Sequence, residues 1–140
     1  MTVQIRAFEA RDTDAVVALW QASGLTRPWN DPRKDIARKL AVQPELFLVA
    51  VDAGSVVGSV MAGYDGHRGW LYYLAAAPDR RGEGIGRALV ARAEELLLGM
   101  GCPKVQLMVR PENVEARAFY DALGYETFDT WATGKRLIAD

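Results

Sequence analysis

Arg80-Arg81-Gly82-Glu83-Gly84-Ile85-Gly86-Arg87 is the stretch best equipped for chemistry. Glycines accept positive φ and let a ligand approach the backbone without Cβ atoms in the way. A helix that starts among them leaves its first N–H groups unpaired and turns the positive end of its dipole outward. Together these make an anion site that suits a phosphate. Arg80, Arg81 and Arg87 add positive charge; Glu83 opposes it, so its carboxylate is expected to face solvent. The same spacing also suits a plain tight connection with solvated arginines. A nucleotide P-loop needs Lys-Ser/Thr after its last glycine, where this chain has Arg87-Ala88. A dinucleotide fingerprint fails in both registers, because its third glycine would be Arg87 or Leu89. His67, the single histidine, is the side chain whose ordinary pKa lies near neutrality, and it sits in a loop beside Asp65 and Arg68. Cys102 is also single, so no internal disulfide forms, and one Cys with one His are too few soft ligands for metal catalysis.

These groups need elements to hold them. Trp70 to Ala77 is an apolar run of aromatics, Leu and Ala, which reads as a central strand buried on both faces. Pro78 and Asp79 end it. After the glycines, Ile85, Leu89, Ala93, Leu96, Leu97 and Met100 recur at helical spacing until Gly101-Cys102-Pro103. Upstream, Val3 to Phe8 alternates like a half-buried strand, and Asp12 or Asp14 caps a helix with apolar positions Val16, Leu19 and Trp20. Asn30-Asp31 with Pro32 opens a second helix reaching Val42. Leu46 to Val51 and Ser55 to Tyr64 flank Asp52-Ala53-Gly54 as a hairpin, and Tyr64 to Gly69 turns into the central strand. Downstream come a strand over Lys104 to Val109, a helix from Asn113 carrying Ala116, Phe119, Tyr120 and Leu123, and two strands over Tyr125 to Asp129 and Trp131 to Ile138.

Composition sets the outer bounds. The 140 residues fit a single domain, residues 1–140, and 50% hydrophobic with 25% charged residues is an ordinary globular mixture. A formal net charge of −1 argues against a nucleic-acid partner, which needs a basic surface. No run approaches a membrane span, and Met1 to Arg6 lacks the basic start and apolar stretch of a signal peptide, so the cytoplasm is the expected location. The aromatic last strand, with Trp131, is an edge that a second copy could pair with in a homodimer.

Arg81-Gly82-Glu83-Gly84-Ile85-Gly86 resembles the Arg/Gln-x-x-Gly-x-Gly/Ala signature of the GCN5-related N-acetyltransferase (GNAT) family, and the strand before it ends in Ala-Pro as that family's does. Asn113…Ala116…Phe119-Tyr120…Leu123-Gly124-Tyr125 resembles the family's second signature. The segments RPWNDP, GYDGHRG, GCPK and GKRLI are similar to the short bacterial YpeA-type acetyltransferases. The resemblance implies an α/β (α+β) fold in the order β-α-α-β-β-β-α-β-α-β-β, with a mixed, mostly antiparallel sheet of about seven strands and helices on both faces. It implies an N-acetyltransferase that uses acetyl-CoA as co-substrate, without a metal, and passes the acetyl group directly to an amine on a small molecule or peptide. In that reading Arg81, Gly82, Gly84, Ile85, Gly86 and Arg87 hold the diphosphate. Leu74, Ala75 and Ala76 give main-chain groups to the pantetheine arm and the acetyl carbonyl, Asn113 bonds the pantetheine arm, and Tyr120 protonates the leaving thiolate. The general base stays open among His67, Asp65, Glu112 and water. Trp29, Asn30, Tyr64, Asp65 and Arg68 are the expected acceptor-binding residues, since specificity sits on loops. The alternative is a non-catalytic acyl-CoA sensor on the same fold.

Overall fold

The computed structural model describes residues 3–140; Met1 and Thr2 lie outside them. One sheet holds five strands in sequence order: β1 (Gln4–Ala7), β2 (Phe47–Asp52), β3 (Ser55–Tyr64), β4 (Gly69–Ala76) and β5 (Val105–Gln106). Neighbours are antiparallel from β1 to β4, and β5 runs parallel to β4. A parallel neighbour requires a crossover, and α3 (Ile85–Gly99) supplies it on one face. α1 (Thr13–Ala22) and α2 (Pro32–Leu40) cover the other face, while α4 (Val114–Ala122) leans Phe119 and Tyr120 against the α3 side.

The strand period of two divides the apolar side chains between these faces. Leu48, Val60, Ala62 and Leu71 meet Ile85, Leu89, Ala93 and Leu97 of α3. Phe47, Val49, Met61 and Ala75 meet Val16, Val17 and Trp20 of α1 and Ile36 of α2. Gly58 on β3 sets how closely α3 lies on the sheet: a Cβ there would stand 2.7 Å from Ile85 Cγ2, 2.9 Å from Leu89 Cδ1 and 3.1 Å from the Ala75 carbonyl oxygen.

The sheet is shorter than the sequence predicts. The strand expected over Lys104 to Val109 is two residues long, and Tyr125 to Asp129 and Trp131 to Ile138 form no strands. A strand needs an edge to pair with, and β5 stops at Gln106, so no ladder continues toward the end of the chain. Leu137 and Ile138 are exposed and Trp131 is 89% exposed, so the dimer-forming edge strand expected there is absent.

Polar contacts hold the last segment instead. The Asp140 side chain accepts hydrogen bonds from Arg38 at 2.7 Å and from the Asp31 amide at 3.0 Å, and Arg136 lies 3.7 Å away. Arg38 first, and the Asp31 amide second, hold the Asp140 carboxyl down at about 2. Because the folded value lies below the unfolded one of about 3.9, this anchor stabilises the fold above that value and is lost as pH falls toward 2. Asp140→Asn is therefore expected to expose the 129–140 segment to limited proteolysis at neutral pH. Wild-type protein should reach the same state only well below pH 4.

Candidate active site

The glycine turn is open. Pro78–Arg80 forms a short 3-10 turn after β4, and the chain then passes through Gly82 and Gly84, both with φ of +82°, before α3 begins. A Cβ at either glycine would meet nothing within 4 Å. Ala88 is the residue whose amide returns to the Gly84 carbonyl, so the amides before it in the first helical turn face outward. The charges differ from expectation. Arg80 holds Glu83 through both carboxylate oxygens, at 3.0 and 2.8 Å, and Asp52 at 2.8 Å, so Glu83 is exposed as expected but also paired. Arg81 reaches across to Glu115 of α4 at 2.9 Å, with both side chains exposed, and Arg87 is exposed.

Beside the turn, β4 carries a bulge. Tyr72 pairs with Met61 and Ala75 with Ser59, which leaves Tyr73 and Leu74 together opposite Val60. Tyr73 has φ of +53°, a left-handed conformation that costs a non-glycine residue roughly 1–3 kcal/mol and persists only where its surroundings enforce it. Those surroundings are visible. The Tyr73 ring stacks on Trp20 with centroids 3.7 Å apart. Fully buried Ser59 accepts a hydrogen bond from Trp20 Nε1 and donates one to the Tyr73 carbonyl, each at 2.8 Å. The Tyr73 hydroxyl donates to Asp35 at 2.7 Å and accepts from Asn30 at 3.2 Å. Burial, and then the Asp35 carboxylate, push its pKa far up.

β4 runs on past the end of β5. The two strands are in register only at Gly69–Val105 and Trp70–Gln106, so the rest of β4 has one open edge. The Ala77 amide bonds Val57, and by alternation Ala76 turns its main chain to that open edge, whereas Ala75 pairs toward Ser59. Leu74 is half-buried against the α3-side core. The extra residue also sets Tyr72 and Tyr73 on the same face, where both line a cavity of about 440 Å³ under α2.

On the α3 and α4 side, Tyr120 lines a groove of about 860 Å³ together with Leu107, Val109 and Tyr125. Its ring meets Phe119 and Tyr125 edge-on, at 5.0 and 5.4 Å, and Tyr125 in turn donates to Glu94 at 2.7 Å. Burial pushes the Tyr120 hydroxyl up to about 12, so it is a neutral proton donor at ordinary pH. Asn113 caps α4 by accepting from the Ala116 amide at 3.1 Å, which leaves its amide nitrogen available.

The remaining expected residues lie elsewhere. Asp65 accepts from the His67 and Arg68 amides at 2.8 and 2.7 Å and from Trp70 Nε1 at 3.3 Å, and these bonds, the Arg68 amide first, lower its pKa. The loop carrying Tyr64, Asp65, His67 and Arg68 stands beyond Gly69, the far end of β4, about 13 Å along the strand from Tyr73 at a rise of about 3.3 Å per residue. Burial first, then the Asp65 charge, raise the pKa of Tyr72. Trp29 is exposed at the surface. Of the expected acceptor-site residues, Asn30 bonds the bulge directly, through the Tyr73 hydroxyl, and the Asp65 charge reaches the neighbouring Tyr72. Sequence reasoning missed Trp20, Asp35, Lys39, Ser59, Tyr72 and Tyr73; the adjacent tyrosines inside an apolar strand run were the only local sign of them.

A sheet parted beside a bulge, with an open glycine turn and a neutral tyrosine alongside, defines an acyltransferase. The sequence profile described as Acetyltransferase (GNAT) family matches residues 13–125, and the chain belongs to that family. It is 54% identical over 138 residues to an acetyltransferase of Pectobacterium atrosepticum, covering 99% of this chain and 98% of that one. Among solved structures, Ard1 from Thermoplasma volcanium superposes with a TM-score of 0.78 at 31% identity, covering 89% of this chain and 82% of the other. AAC(6')-Iy in complex with a bisubstrate analogue built on CoA shares the fold, with a TM-score of 0.77 at 17% identity, covering 99% of this chain and 100% of that one. Among the described residues no helix is long and apolar enough to cross a membrane.

Proposed function

We propose that the chain, acting as one domain, transfers an acetyl group from acetyl-CoA to a primary amine by direct attack in a ternary complex. The observation that carries this reading is the open edge of β4 beside its bulge, running straight into a glycine turn bare of side chains. The outward amides of residues 82–87 suit the coenzyme diphosphate. The Ala76 and Leu74 main chain suits the pantetheine arm and the acetyl carbonyl, where one well-placed donor contributes about 3 kcal/mol. The Asn113 amide nitrogen serves the same arm. Acetyl-CoA supplies the activated thioester. As the new N–C bond forms and the C–S bond breaks, the amine gives its proton to water and the thiolate takes one from Tyr120. His67 and Asp65 are left out of this chemistry because they sit in a turn beyond the far end of β4, where the Asp65 oxygens are taken up by the His67 and Arg68 amides and Trp70 Nε1. Ala75 acts behind the site, holding β4 to β3.

Coenzyme A should raise the melting temperature of the wild-type protein, and Gly84→Glu should weaken binding by about tenfold or more, since a carboxylate then fills the phosphate turn. Gly86→Glu, at a position with ordinary helical geometry, should do the same without backbone strain. Its side chain starts against the Phe119 ring, 3.5 Å from the Cβ, so the variant's melting temperature without coenzyme is the control. Undiminished binding in both variants would sink the proposal. Binding without thiol release across a broad amine panel would leave a non-catalytic acyl-CoA module.

A further inference from the structure

The cavity under α2 is built from apolar walls and a small number of charges. Val42, Met61 and Tyr72 supply the walls; Asp35, Arg38 and Lys39 of α2 supply charge. Asp35 and Lys39 stand at i and i+4, which places their Cβ atoms about 5–6 Å apart. Asp35 is largely occupied: Oδ2 accepts from Tyr73 and Asn30, and Oδ1 accepts from Arg38 at 3.3 Å. A carboxylate has about four acceptor sites, so one remains on Oδ1.

Lys39 is in the opposite condition. Among the described residues its ammonium has neither a hydrogen bond nor a salt bridge. It lies over Gly63, 3.7 Å from where a Cβ there would stand. Burial lowers its pKa, and Glu45 opposes that only at longer range. The neighbouring cations are already paired, Arg38 with Asp140 and with Asp35 inside the cavity, and Arg33 with Asp14. A partly desolvated cation with no direct ion pair, only the Glu45 charge at longer range, suits an incoming anion.

We propose that this cavity takes the acetyl acceptor, and that the acceptor is a small amine which also carries a carboxylate. Its amine lies toward Asp35 and Tyr73 at the bulge, its carboxylate on Lys39, and its apolar part on Tyr72 and Met61. This rests on the acetyl-transfer reading above. A polyamine would instead place a second cation against Lys39.

The test is binding to the CoA-saturated protein, followed by ligand-observed NMR with L-phenylalanine, L-leucine, their carboxamides, and spermidine. The carboxylates are expected to bind roughly tenfold or more tightly than the carboxamides. Lys39→Met should level the two while CoA affinity and melting temperature hold, and Lys39→Arg should keep the preference. Equal or better binding of the carboxamides or spermidine, or a preference that survives in Lys39→Met, would overturn the proposal. Carboxylate-selective binding without thiol release from acetyl-CoA supports the site and sinks the transfer reading instead; thiol release with no carboxylate preference does the reverse.

Discussion

Replacing Ser59 by alanine is expected to destabilise the protein by about 2–4 kcal/mol and to lower kcat by at least about tenfold, with a smaller change in the KM for acetyl-CoA. The hydroxyl is fully buried and used twice, accepting from Trp20 and donating to the Tyr73 carbonyl. Its loss strands an indole N–H and a carbonyl in a dry place, each at about 1–3 kcal/mol. It also removes one of the restraints that keep Tyr73 left-handed, so the main chain of Leu74 and Ala76 drifts from the position the reacting carbonyl needs. The glycine turn is untouched, so the diphosphate keeps its site and any loss of coenzyme affinity should be smaller than the fall in kcat. Leu46→Ala, a core truncation away from the bulge, should cost a similar about 2–5 kcal/mol yet leave kcat near wild type at a temperature where both variants are folded. Equal kcat in Ser59→Ala and Leu46→Ala would show that the hydroxyl serves stability alone.

The Tyr120→Phe substitution should behave in the contrary way, with a large kinetic effect and almost none on stability. Its hydroxyl has no hydrogen-bond partner among the described residues, and the edge-on contacts with Phe119 and Tyr125 need only the ring. General-acid help to a leaving group is typically worth 10²–10⁴-fold, so kcat is expected to fall by about 10². With the Tyr120 hydroxyl pushed up to about 12, the donor is protonated throughout the working range. The ratio of wild-type to variant rate should therefore be flat between about pH 6 and 10. A ratio that changes across that interval, or a variant of undiminished kcat, would assign the proton to another group.

The parts of the fold that repeat locally were legible in the sequence. α3 shows its buried stripe from Ile85 to Leu97 in its spacing, and the glycine turn announces itself by composition. The bulge could not be read that way, because it is a relation between strands: Tyr72 and Tyr73 share a face only once β3 supplies one residue against two. The cavity under α2 is harder still, since Asp35 and Tyr73 are neighbours across 38 positions of chain. Conversely, Tyr125 to Ile138 has a strand-like pattern that nothing honours, because the β5 edge ends before it. Loops rich in polar residues drew attention to His67 and Asp65, whose turn is satisfied by its own hydrogen bonds.

The glycine turn proposed for the coenzyme belongs to the α3 face and the cavity under α2 to the other, with one kinked strand between them whose open edge is where the two sides meet. In the proposed reading, donor recognition and choice of recipient therefore rest on different side chains. Side chains on α2 can be exchanged to admit a different recipient while the donor machinery, on the other side of that strand, goes on unaltered.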